Sequence, residues 1–91
     1  MRKTQLPVQG MSSDKLLRSE AFRLGFAASN RKFFEPEAFY SDENDLWNYE
    51  RGFHFATVLR TRGILLRTLP KKPTESLKIA LRIAVNRKEI I

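Results

Sequence analysis

The sequence predicts an all-α protein: an antiparallel helical hairpin followed by a third, C-terminal helix. Three observations carry this. Apolar residues recur at spacings of three and four in two separate segments, the signature of one buried helical face. Each segment opens on serine or aspartate, which cap free helix amides, and the second closes near Gly63. A proline-bearing link parts the two segments, and "PKKP" at 70–73 sets off a capped tail.

Residues 1–11 contain Pro7 and Gly10 without periodicity and read as a flexible N-terminal arm, leaving 12–91 as a single small helical domain. The first helix is expected to start at Ser13, a cap with Asp14 favourable in the first turn, and to run to about Asn30. Leu17, Ala21, Leu24 and Ala28 define its expected buried face, with Phe22 and Phe26 in a neighbouring row. The link "RKFFEPEAFY" at 31–40 turns around Pro36, which biases Glu35 away from helix. Its Phe33, Phe34, Phe39 and Tyr40 read as a lid on the core. Stacking on bases is the alternative, opposed by the acids Glu35, Glu37 and Asp42 beside them.

The second helix begins at Ser41 or Asp42, has acids in its first turn and Arg60 and Arg62 in its last, and so complements the helix dipole. Leu46, Tyr49, Phe53 and Ala56 share its expected buried face. In the tail, Leu77, Ile79, Leu81, Ile83 and Val85 alternate as a strand would. Yet Glu75, Lys78, Arg82, Asn86 and Glu89 make one helical polar stripe behind Thr74, so a third helix is expected. Apolar around much of its circumference, it should pack on the hairpin or mediate a homodimer.

Gly25 and Gly52 sit inside the two helices, each before a phenylalanine, where glycine costs roughly 1 kcal/mol relative to alanine. Such a cost makes sense at a helix crossing, where a missing side chain lets two backbones approach.

The 91 residues carry a net charge of +7, unevenly placed. Residues 1–19 bear +3, residues 20–50 bear −4 and residues 51–91 bear +8, while all ten aromatics lie between Phe22 and Phe55. An aromatic, acidic centre flanked by basic ends suggests a polyanionic partner, nucleic acid before membrane. No cysteine is present, which excludes disulfides and thiol chemistry. No apolar run is long enough to span a bilayer and no signal peptide is visible, so a cytoplasmic protein is expected. His54 is the lone histidine and has no triad partner by spacing. Asp42, Glu43 and Asp45 read as helix-start electrostatics, and the four glycines are too isolated to cradle a phosphate. The chain is not expected to be an enzyme, nor to hold a cofactor or metal.

Gly25, Phe26 and Ala28, then Pro36 in the link, then Tyr49, Gly52, Phe53 and Ala56, together resemble the ribosome modulation factor family over roughly residues 20–57. In that family a glycine–aromatic–x–Ala element precedes a proline-containing link and an aromatic–x–x–Gly–aromatic–x–x–Ala element. Tyr49 stands where the family usually has tryptophan. The resemblance implies ribosome binding, chiefly to small-subunit ribosomal RNA, and formation of inactive ribosome dimers. The matching residues would then be scaffold. Phosphate contacts would fall to Arg51, Arg60, Arg62, Arg67, Lys71 and Lys72, with Arg31 and Lys32 as further candidates. A second expectation is a protein–protein adaptor or inhibitor that uses the acidic aromatic centre. A DNA-binding regulator ranks below both, since no helix-turn-helix spacing is recognisable.

Overall fold

A computed structural model describes residues 13–30 and 43–90. They form α1 (Ser13–Arg18), α2 (Glu20–Asn30), α3 (Glu43–Thr61) and α4 (Glu75–Asn86), with no strand among the described residues. The chain is all-α, as its periodicity predicts. The arm at 1–11, the link around Pro36 and the caps Ser41 and Asp42 lie outside the described residues.

The first expected helix is two. Ser19 interrupts it: its N–H donates to the Leu16 carbonyl at 3.0 Å, and its carbonyl accepts from Arg23 at 3.0 Å. Its Oγ accepts the Phe22 N–H at 3.3 Å. Ser19 thus ends α1 and caps α2, the use for which a short hydroxyl side chain is best suited. Ser13 is itself the first helical residue, and not the cap expected of it.

The break redirects the buried faces. Leu16 and Leu17 of α1 and Phe22 and Phe26 of α2 enter one core, with Phe55, Val58 and Leu59 of α3 and Leu77, Leu81 and Ala84 of α4. Leu69 and Ile90 close it. Of the face expected from the sequence, Leu17, Ala21 and Ala28 are buried, but Leu24 is 36% exposed. The Phe22/Phe26 row takes its place because it is the row that meets α3. Phe55 packs against both rings, with centroids 5.8 Å apart in each case and tilted planes, the geometry aromatic quadrupoles favour.

The two glycines stand where α2 and α3 cross. A Cβ on Gly25 would lie 2.7 Å from the Tyr49 carbonyl carbon and 2.9 Å from its Cα. A Cβ on Gly52 would lie 2.8 Å from the Phe22 carbonyl carbon and 3.0 Å from the Phe26 nitrogen. Both obstacles are backbone, so neither can swing aside. Gly52 seats between Phe22 and Phe26, and one turn farther along α2 the Ser29 hydroxyl is 3.4 Å from that of Thr57. Phe22, Gly25 and Phe26 on α2 and Tyr49, Gly52 and Phe53 on α3 are two copies of one aromatic–x–x–Gly–Phe pattern, and each glycine meets backbone of the other helix.

Of the face expected on α3, Tyr49 and Ala56 are buried and Leu46 and Phe53 half-buried. The helix ends in a Schellman motif: Gly63 at φ 77° donates to Arg60, and Ile64 donates to Leu59 at 2.9 Å. The tail is helical, capped by Thr74, whose hydroxyl accepts the Leu77 N–H at 3.3 Å. It closes by the same motif with a lysine in the glycine position: Lys88 at φ 58° donates to Val85 and Glu89 donates to Ala84. The two helix ends are tied by an Arg62–Glu89 ion pair. Asp14 joins α1 to α4 by pairing with Arg18 at 3.1 Å and Lys78 at 3.4 Å. Partial desolvation works to raise the Asp14 pKa, but the hydrogen bonds and charges of Arg18 and Lys78 outweigh it and hold the carboxyl below its ordinary value.

Candidate nucleic-acid interface

The C-terminal turn of α3 places the first candidates. Arg60 lies on its exposed side, and its Nη2 donates to Ser29 Oγ at 2.8 Å and to Thr57 Oγ1 at 3.3 Å. Ser29 is buried, so α2 fixes the guanidinium from below while its outer edge faces solvent. The negative end of the α3 dipole favours a cation at this turn in any case. Arg62, two residues on, is committed to Glu89.

Beyond Gly63 the chain runs to Thr74 without helix, and Arg67, Lys71 and Lys72 are all exposed along it. Between Arg60 and Thr74 there are five basic residues and no acidic one, so nothing in the segment offsets its attraction for an anion. Leu69 is sunk into the core and Leu66 packs against it, and together they pin the connection to the helices.

Arg51 does not belong with these. It is 3% exposed, and its Nη1 donates to Asn48 Oδ1 at 2.9 Å. Burial pulls its pKa below the ordinary arginine value, against the opposing pull of the Glu50 charge. An arginine so enclosed braces α3 and cannot reach a phosphate. The expectation that it meets RNA is corrected on that ground: helical position alone does not distinguish an inward from an outward arginine. Among the scaffold positions, Phe26, Ala28, Tyr49 and Ala56 are buried, Gly25 and Gly52 meet backbone, and Phe53 packs beside Ala21, Ala28 and Tyr49. Pro36, Arg31 and Lys32 lie outside the described residues.

Arg82 on α4, and Arg87 and Lys88 at its end, are exposed cations that the sequence does not single out as site residues. The polar stripe of the tail contains Arg82, and its Glu75, Arg82, Asn86 and Glu89 are all exposed, as the polar face of an amphipathic helix is. Among the described residues, a shallow cleft of about 500 Å³ is lined by Asp14, Lys15, Arg18, Ser19 and Asn48. Its one acid is engaged by Arg18 and Lys78, which leaves a mixed and largely compensated lining. His54 is half-buried on α3, and no three His, Asp or Glu side chains among the described residues gather as a metal site. No described helix is long and apolar enough to cross a membrane.

Comparison with family models, with curated proteins and with solved structures finds no match to this chain.

Proposed function

We propose that the chain is a non-enzymatic RNA-binding protein whose ligand is structured RNA of the ribosome, as its resemblance to ribosome modulation factor implies. One observation carries the reading: Arg67, Lys71 and Lys72 stand exposed on a connection that contains no acid, next to an Arg60 held outward by Ser29 and Thr57. Folded RNA is recognised largely through its shape and backbone, which asks for fixed cations and not for a base-reading pocket. The α2–α3 crossing supplies the rigid frame, and the pinned connection supplies the cations.

Binding of this kind releases counterions, so affinity falls linearly on a log–log plot against salt. Fluorescence anisotropy with a labelled ribosomal RNA hairpin, titrated across salt concentrations, tests it. Replacing Arg67, Lys71 and Lys72 by alanine should make the salt slope shallower by about one for each phosphate that is no longer neutralised. An unchanged slope would remove the connection from the interface. The adaptor reading rests on Phe33, Phe34 and Tyr40, which lie outside the described residues.

A further inference from the structure

The outward face of α4 combines exposed apolar and basic side chains that neither the core nor the RNA reading uses. Leu77, Leu81 and Ala84 turn inward, while Ile79 and Ile83 are 47% and 41% exposed. At a spacing of four they form a single ridge on the helix surface, the unit that packs into a groove of another helix. Arg82 lies beside that ridge, and exposed Arg87 and Lys88 follow at the helix end. Against these stand Glu75 at the far end and Glu89, which Arg62 already neutralises. The ridge is therefore set in a positive field over its C-terminal half.

We infer that this face docks an acidic amphipathic helix of a partner protein, one with apolar residues at spacings of three and four flanked by aspartate or glutamate. Helix-on-helix recognition through such anchors is a common mode of protein binding. Charge chooses the occupant. A second copy meeting this face by a two-fold contact would offer Arg82, Arg87 and Lys88 only one acid, Glu75, because Glu89 is engaged by Arg62. RNA has no use for two isoleucines. An acidic helix satisfies the ridge and the cations together, and like-charge repulsion excludes basic competitors.

The inference is independent of the RNA proposal and is tested in the full-length chain. The photo-crosslinking residue p-benzoylphenylalanine replaces Ile79 in the protein expressed in its native cells, with the same residue at exposed Thr68 as the control. After irradiation, the adducts are mapped by mass spectrometry. The expected result is a covalent adduct at position 79, absent at 68, to a segment of another protein that is acidic and amphipathic. Adding Arg82→Glu to the Ile79 probe should cut that yield about tenfold or more, since it sets like charges opposite each other. Far-UV circular dichroism must remain unchanged. An adduct to a second copy of this chain, an adduct to RNA, no adduct above the Thr68 control, or a yield indifferent to Arg82→Glu would each overturn the inference.

Discussion

Replacing Gly25 or Gly52 by alanine tests the crossing on which the fold depends. In an exposed helix interior the change would stabilise the protein by about 1 kcal/mol, because alanine is the better helix former. At this crossing the new methyl meets backbone at 2.7–3.0 Å on the facing helix, and nearer still at the carbonyl oxygen, where ordinary contact begins at 3.4 Å. Nothing there is the movable end of a side chain, so relief requires α2 and α3 to part. A gap of about 0.5–1 Å forfeits a quarter to a half of the dispersion attraction of each facing pair of atoms. The Phe22, Phe26 and Phe55 cluster lies next to the crossing and is loosened with it.

Overpacking of this kind costs about 1–3 kcal/mol, and an obstacle made of backbone belongs at the upper end of that range. Set against the propensity gain, each substitution should destabilise by about 2 kcal/mol. A chain of this length has about 5–14 kcal/mol of stability in total, so both variants still fold. Their Tm should fall by about 8–16 °C, from about 4–8 °C per kcal/mol for a domain near this size. Thermal unfolding followed by circular dichroism reads this directly. A Tm equal to or above the wild type for either variant would refute the close crossing, because the sign of the effect depends on it.

Lys88 occupies a left-handed conformation that costs a residue with a Cβ roughly 1 kcal/mol or more, so Lys88→Gly should raise stability by about that amount in urea unfolding. Thr74→Ala removes the hydroxyl that accepts the Leu77 N–H and should cost about 1 kcal/mol, with amide exchange accelerated first at Leu77. The Asp14 carboxyl has its pKa lowered in the folded state from an ordinary value of 3.8. Its contribution is therefore fully present above 3.8 and is lost as pH falls through the lower folded value, because the unfolded chain takes up the proton first. Acid titration of the unfolding midpoint should show that loss in the wild type and a flatter profile in Asp14→Asn.

The helical class was legible because caps and breakers agree with periodicity: Thr74 opens α4, Gly63 closes α3, and the glycines mark a close crossing. The same signals were weaker where one residue has two uses. Ser19 can continue a helix or cap the next, and only the position of α3 decides that Phe22 turns inward and Leu24 outward. Of the candidate cations, those in the connection are exposed as their acid-free setting suggests, whereas Arg51 is drawn inward to Asn48. A guanidinium's burial depends on tertiary neighbours and leaves no mark in local sequence. The cations at 82, 87 and 88 were visible as residues but not as a surface, because a face exists only once α4 has chosen which side to bury.

The central claim is that the α3–α4 connection holds the chain to ribosomal RNA. Its most direct test is co-sedimentation of the purified protein with ribosomes through sucrose gradients at low and moderate salt, beside a variant with Arg67, Lys71 and Lys72 replaced by alanine. The account predicts that the wild type travels with the small subunit or with ribosome dimers at low salt and is released as salt rises. The variant should remain at the top of the gradient while keeping its helical spectrum. Wild-type protein at the top of the gradient at both salts, or a variant that sediments as the wild type does, would contradict it.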